Sequence, residues 1–492
     1  MAAHYQMLIK GRWVDSSTKE RFPSINPFNQ EVWSEIPQAS EEDVNEAIEA
    51  ARTTFDTSWK HVNGLERARL LMKFADLLDE DAERMAALET TDNGKVIRET
   101  TNQMHFAARN YRFFAGYADK LYGEVIPLDN PMMFDYTLRE AVGVVVLITS
   151  WNSPIAILAN KLAPALAAGN TVVIKPSEHT SATTLELGKL IQKAGFPDGV
   201  VNIVTGDGRV GNYLTQHPGV NKISFTGGTE TGKLISRNAS QNLIPVTLEL
   251  GGKSPNIIFD DADIHAAVIG AVAGIYGASG QTCIAGSRLL VQHSVYDEVI
   301  QKIVDKAKTI RLGNPIDPLT EMGPAANKPQ YDRILGMISK GKDEGAKLVY
   351  GGHAVTDHEL KNGYFIAPAI FIDVDNKSTI AQEEIFGPVL SVIPFTDQDE
   401  AVQIANDSKY GLASGIWTSN VKRVHRLARQ IQAGTVWVNT YRTSAAQAPF
   451  GGVKLSGHGR ERGWHALLEY TQIKNIMLNL SDDTRDPFSI QM

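Results

Sequence analysis

Apolar residues in the first quarter of the chain recur near helical spacing. Ala47, Ile48, Ala51 and Phe55, then Leu70, Leu71, Phe74 and Leu78, follow this pattern with a break around His61 to Gly64. The stretch from Ala47 to Met85 is therefore expected to be mostly helical. From Val142 to Gly252 the pattern changes. Five runs rich in β-branched residues, VGVVVLITS, TVVIKPS, VVNIVTG, KISFTGG and VTLELGG, alternate there with helical stretches. Nearly continuous apolar runs bounded by Gly, Pro and Ser, with helices between them, predict a parallel sheet covered on both faces. Such sheets commonly hold a nucleotide at their strand ends.

A second alternating block runs from about Ser254 to Gly452. It has helical stretches near Val295 to Arg311 and Gln330 to Gly345, and strand-like runs LLVQ, LVYGG, VLSVIPF and TVWVN. This block predicts a second α/β unit. Short alternating pieces between Leu121 and Ala141, around Asp129, Asn130 and Pro131, suit a hairpin. The C-terminal run YTQIKNIMLNL reads as a strand suited to pair with that hairpin's exposed edge.

Composition narrows the function classes. A chain of 492 residues, 43% hydrophobic and 21% charged, exceeds one ordinary core and has no disordered bias. A formal charge of -8 argues against a nucleic-acid surface and leaves small molecules as the expected partners. The N-terminus, MAAHYQMLIKGRW, lacks a secretory layout. The longest uncharged apolar stretch, Ala266 to Ala278, is shorter than the roughly 20 residues that cross a bilayer. No membrane span is expected. A single cysteine fits a reducing, cytoplasmic setting. The twelve histidines show neither HExxH nor a Cys/His cluster, so no metal site is expected.

The single cysteine, Cys283, lies in GASGQTCIAGS, where small neighbours leave the sulfur open to approach. A lone thiol also serves as a small buried hydrophobe, but as a thiolate it is a strong nucleophile toward carbonyls. Glu249 ends a predicted strand in ELGGKSP and suits either a general base in a cleft or a surface ion pair with Lys253. Asn152, in TSWNSPI, follows another strand and precedes a helix opening near Pro154. Its amide suits an oxyanion donor or a helix cap. Two glycine loops compete for cofactor phosphates. TGDGRVGN places Gly206, Gly208 and Gly211 in a GxGxxG pattern, but after the third strand of the block and without the usual acidic follower, which favours a mainly structural role. FTGGTETGK places Gly227, Gly228 and Thr229 at a strand-to-helix turn and is the better phosphate site.

Taken in order, TSWNSP, VIKPSE, FTGGTETG, ELGGKSP, GQTC, EEIFGPV and PFGGVKLSG closely resemble the aldehyde dehydrogenase superfamily over nearly the whole chain, with the glutamate 34 positions before the cysteine. The resemblance implies an α/β fold with three parts. These are a Rossmann-like cofactor domain (1–120 and 142–252), a second α/β catalytic domain (253–469) and a small β oligomerisation hairpin (121–141 with 470–492). It implies Cys283 as nucleophile, Glu249 as general base, and Asn152 with the Cys283 amide as oxyanion hole. NAD is the implied cofactor, with NADP weaker. Lys175 and Glu178 would hold its adenosine ribose, Glu384 the nicotinamide ribose, and Phe386 would pack near the nicotinamide. Trp151, Gly228 and Thr229 would lie along the pyrophosphate, with Thr149 and Gly208 also on the cofactor side. Many relatives carry Ser where this chain has Gly228, which removes one side-chain phosphate contact.

The implied reaction is oxidation of a small-molecule aldehyde to a carboxylic acid through a thiohemiacetal and a thioester, by a homodimer or homotetramer. Positions matching the family's substrate tunnel are Ser153, Ile157, Asn160, Thr282, Ile284, Ser444 and Phe450, with Arg442 near the mouth. A bulky aromatic or terpenoid aldehyde and a semialdehyde acid paired to Arg442 both fit that set. The competing functions are a CoA-acylating dehydrogenase, an esterase-like thiol hydrolase and a catalytically silent scaffold. Relatives that acylate coenzyme A generally lack the glutamate, and the cofactor motifs speak against simple hydrolysis.

Overall fold

The computed structural model describes residues 2–482 and Phe488; the rest of the expected C-terminal element, 483–487 and 489–492, lies outside the described residues. Helices α1 (Glu41–Thr57), α2 (Gly64–Glu80), α3 (Ala82–Asn93) and α4 (Ile97–Ala115) fill the amphipathic first quarter, and the break at His61 to Gly64 separates α1 from α2. Ser40 starts α1 with a reciprocal capping box to Asp43, and Asn63 caps α2.

The five apolar runs form β1 (Val144–Ile148), β2 (Thr171–Lys175), β3 (Val201–Ile203), β4 (Lys222–Thr226) and β5 (Val246–Glu249). They are parallel neighbours in the order β5-β4-β1-β2-β3. Every residue of β1 and of β2 is buried, which is why both read as unbroken apolar runs. Between the strands run α5 (Pro154–Ala168), α6 (Ala182–Ala194), α7 (Gly208–Gln216) and α8 (Thr229–Ser240). The chain leaves β1 toward β2 on one side, while β4 flanks it on the other. This reversal of strand order opens a crevice at the carboxyl ends of β1 and β4.

The second unit is a seven-stranded sheet. Its strands, in spatial order, are Lys347–Tyr350, Ala369–Ile372, Val389–Phe395, Arg288–Gln292, Pro255–Ile258, Ala413–Trp417 and Thr435–Val438, and only the first is antiparallel to its neighbour. Its helices include α9 (Ile264–Tyr276). After it the chain returns to the first unit. Gly457–His458 pairs with β5, and the helix Gly463–Glu469 packs Ala466 and Leu467 into the first core.

Strand Thr471–Asn479 pairs over nine residues with Met133–Ala141, which also pairs with Val125–Ile126. The C-terminal strand thus covers one edge of its own chain's hairpin. Phe134 faces Leu478 across that pairing, and both stay about two-fifths exposed, as does Leu138 on the same face (42%, 40% and 42%). Among the described residues no helix is long and apolar enough to cross a membrane.

Candidate active site

The crevice opens into a cleft of about 950 Å³ between the two α/β units. Cys283 enters it from a turn of unusual backbone. Ala278, Ser279 and Gly280, just past α9, take φ of 53°, 55° and 71°, a left-handed run that costs energy for non-glycine residues. Several bonds hold the run in place. Glu99 Oε1 accepts from Ala278 N at 3.0 Å, Ser279 Oγ donates to the Gly323 carbonyl at 2.8 Å, and Gln281 Nε2 donates to the Pro324 carbonyl at 3.2 Å. A Cβ on Gly280 would lie 2.1 Å from the Gly387 carbonyl oxygen. The glycine and serine before the cysteine therefore shape its backbone as well as clear space around the sulfur.

The side chain of Cys283 packs against a small cluster of Ile284, Leu412, Ala413 and Trp437. Burial, with Glu384 and Glu249 nearby, pushes the thiol up to about 12. At neutral pH the sulfur is protonated at rest and needs a base. Glu249, 3% exposed at the end of β5, supplies the nearby carboxyl. Neither of its oxygens has a hydrogen-bond partner among the described residues. Burial and the neighbouring Glu461 raise its proton affinity well above the usual carboxylate range, against the pull of Lys161. It forms no ion pair with Lys253, whose buried Nζ is itself unbonded.

Asn152 follows β1 and is fixed at both ends of its amide. Ser150 Oγ donates to Oδ1 at 2.8 Å, and Nδ2 donates to the Gln281 carbonyl at 3.0 Å. An amide nitrogen carries two hydrogens, so the second N–H remains for a ligand. The backbone N–H of Cys283 has no acceptor among the described residues.

At the strand ends, Gly228 caps α8, a helix of 12 residues, and a Cβ added there would meet open space. Thr226 and Thr229 share this part of the cleft, and the buried hydroxyl of Thr226 is unbonded. Trp151 and Phe386 meet edge to face at 5.1 Å, and Glu384 accepts from Gly252 N at 3.0 Å. A Cβ on Gly251 would lie 2.1 Å from the Glu384 carboxylate, and one on Gly252 would lie 2.7 Å from the Cys283 carbonyl oxygen. The two glycines of ELGG thus let Glu384 and Cys283 approach the end of β5. Lys175, Glu178, Thr149 and Gly208 lie outside this cleft, at the ends of β1, β2 and β3.

A profile of the aldehyde dehydrogenase family matches residues 13–476. The chain is 48% identical over 489 residues to a (Z)-2-((N-methylformamido)methylene)-5-hydroxybutyrolactone dehydrogenase of Acinetobacter baylyi, covering 98% of this chain and 99% of that one. It is 44% identical to human retinaldehyde dehydrogenase 3, covering 97% and 93%. A crystal structure of Staphylococcus aureus betaine aldehyde dehydrogenase in complex with NAD+ superposes with a TM-score of 0.97 at 42% identity, covering 99% and 96%. The chain belongs to the aldehyde dehydrogenase family. It is an oxidoreductase that takes aldehydes to acids.

In this aldehyde dehydrogenase all eight positions matched to the substrate tunnel, Ser153, Ile157, Asn160, Thr282, Ile284, Arg442, Ser444 and Phe450, line the same cleft as Cys283. Their polar groups are largely occupied by the protein. Ser153 Oγ bonds to Lys95 Nζ at 2.5 Å and donates to the Asn152 carbonyl at 2.7 Å. Asn160 Oδ1 accepts from Asn110 Nδ2 at 2.8 Å. Arg442 Nη1 donates to the Ala273 carbonyl at 3.1 Å, in the last turn of α9.

Sequence reasoning missed four features of the site. Lys95 ties the Asn152 carbonyl to Gln103. Lys161 and Glu461 form a fully buried ion pair at 2.5 Å beside Glu249. Gln330 Nε2 holds the carbonyls of Ile385 and Phe386 at 2.9 and 2.8 Å. Arg462 also lines the substrate side. One signal was available: Lys161 is the only charged residue of α5, otherwise an apolar helix, and a buried charge requires a partner.

Proposed function

We propose that this enzyme oxidises its aldehyde through a covalent bond to Cys283, with NAD as hydride acceptor and water as the final nucleophile. The observation that carries this reading is the convergence of Cys283, Glu249 and Asn152 in one cleft with the strand-end glycine turn at Gly228. The cleft suits a dinucleotide. It offers the free amides at the start of α8, the unbonded hydroxyl of Thr226 and open space at Gly228. Trp151, Gly228 and Thr229 would flank the pyrophosphate, Glu384 would hold the nicotinamide ribose, and Phe386 would pack on the ring. Lys175 and Glu178 would hold the adenosine ribose, with Thr149 and Gly208 beside them. When bound, NAD supplies the carbon that accepts the hydride.

In this reading Glu249 takes the thiol proton and Cys283 Sγ forms a bond to the carbonyl carbon. The resulting oxyanion accepts hydrogen bonds from Asn152 Nδ2 and the Cys283 amide, each such donor being worth about 10²–10³-fold in turnover. Loss of hydride from that carbon leaves a thioester on Cys283. Once Glu249 has released the thiol proton to solvent it takes a proton from water, the water oxygen bonds to the acyl carbon, and the C–S bond breaks as that proton passes to sulfur, which releases the acid and restores the thiol.

NAD is favoured over NADP because Glu178 stands beside Lys175, whose buried ammonium donates to the Pro176 carbonyl at 3.1 Å and is held below the usual lysine range by burial. A 2′-phosphate there would meet the Glu178 carboxylate, which repels it. Wild type is expected to use NAD at least about 10-fold more efficiently than NADP, and Glu178→Gln to narrow that gap by improving NADP. Equal kcat/KM for the two cofactors in wild type, measured by absorbance of the reduced form, would remove the argument.

A homodimer or homotetramer belongs to the same proposal. The exposed apolar face of Phe134, Leu138 and Leu478 on the three-stranded sheet supports it. Light scattering at micromolar concentration is expected to return a dimeric or tetrameric mass, and a monomer contradicts the assignment. A cytoplasmic location, supported by the lone thiol, completes the reading.

A further inference from the structure

The substrate side of the cleft holds a cation that the oxidation chemistry does not use. Arg462 has φ 62°, in the left-handed region that non-glycine residues seldom adopt. Its guanidinium lies over the rings of Phe106 and Phe450, 5.0 and 4.8 Å from their centroids. Nε donates to Asn160 Oδ1 at 3.2 Å and Nη1 to Ser444 Oγ at 3.1 Å. Nη2 bonds to no group of the described residues, and no carboxylate among them forms an ion pair with this arginine.

Of the other charges on this side, Lys95 and Glu461 have charged partners. Lys95 Nζ is bonded to Gln103 Oε1, the Asn152 carbonyl and Ser153 Oγ, and Glu89 and Glu99 offset its charge. Glu461 is paired with Lys161, whereas Arg442, whose Nη1 donates to a helix carbonyl, and Glu249 form no ion pair among the described residues. Burial lowers the proton affinity of Arg462, against the opposing pull of Glu461, Cys283 and Glu249. A guanidinium recognises ligands through its in-plane N–H groups, the geometry that suits a carboxylate.

We propose that Arg462 is the specificity-determining residue of this cleft and that the substrate is an aldehyde carrying a carboxylate. The proposal rests on the aldehyde-oxidising reading of the cleft. It assigns the carboxylate to Arg462, set against two aromatic rings, instead of Arg442, the partner that the family resemblance suggested for one of two substrate classes. The oxidation itself is unchanged: the aldehyde carbon loses hydride to NAD and gains a water oxygen, and the distal carboxylate takes no part in bond making.

The test uses two matched pairs, 4-oxobutanoate with its methyl ester and 4-carboxybenzaldehyde with its methyl ester, followed by NADH formation. Wild type is expected to favour the acid over the ester in at least one pair. In Arg462→Met the acid-to-ester ratio of kcat/KM is expected to fall about 10- to 100-fold, mainly through KM for the acid. Arg462→Lys should recover part of the loss. A ratio unmoved in Arg462→Met overturns the proposal. Should the variants fail to fold, wild type alone decides, because parity or ester preference in both pairs also overturns it. Oxidation of esters without preference for acids sinks the proposal alone. Absence of NADH with every aldehyde sinks the reading beneath it as well.

Discussion

Replacing Cys283 by alanine is expected to lower kcat by more than about 10⁴-fold while NAD binding persists. The sulfur is the single atom on which the acyl group can be held, and no neighbouring side chain offers a comparable nucleophile. Thr282 flanks it, but an unactivated hydroxyl is far weaker than a thiolate toward a carbonyl. The left-handed turn at Ala278 to Gly280 is held by hydrogen bonds to Glu99, Gly323 and Pro324 that do not involve the sulfur, so the variant should keep its fold. NADH formation measures the loss, and calorimetry with NAD alone checks that the cofactor site survives. A variant with more than a tenth of wild-type turnover would show that the oxidation does not pass through the thiol.

Glu249→Gln carries the second large effect, an expected fall of about 10²–10⁴-fold in steady-state turnover. The pH profile separates a base from a merely structural carboxyl. Burial and Glu461 raise the proton affinity of Glu249, so a rising pH is needed to populate the carboxylate. Wild-type kcat/KM should therefore climb as pH rises through that elevated value. The glutamine variant should lose this limb and keep only the dependence set by the thiol, itself pushed up to about 12. A profile of the same shape in both proteins would take the base role away from Glu249. The products also discriminate: acid without coenzyme A fits water as the acceptor, whereas acyl-CoA formation would favour the transfer alternative.

What could be read from the sequence follows its physical signals. The five parallel strands of the first sheet were legible because nearly all their residues are buried and so form largely apolar runs. Asn152, Glu249 and Cys283 were legible because each follows a strand or turn in a short, glycine-rich or polar motif. The return of the chain to the first unit was not, since a two-residue strand at Gly457–His458 has no periodicity to detect. Arg462, Glu461 and Lys161 escaped for another reason. Their partners lie about 300 residues away, as with Lys161 to Glu461 and Arg462 to Asn160. The polar tunnel positions Ser153, Asn160 and Ser444 looked like groups offered to a substrate, yet they serve Lys95 and Arg462. Side-chain type marked where the cleft is polar; only the packing shows which donors are left over.

The most direct test of the central claim is a quantitative balance in which purified protein is given NAD and a panel of neutral, aromatic and carboxylate-bearing aldehydes, and NADH and acid are both measured. The account predicts NADH and carboxylic acid in equal amounts with at least one aldehyde. No reduction of NAD or NADP with any of them, or NADH without acid, would contradict it.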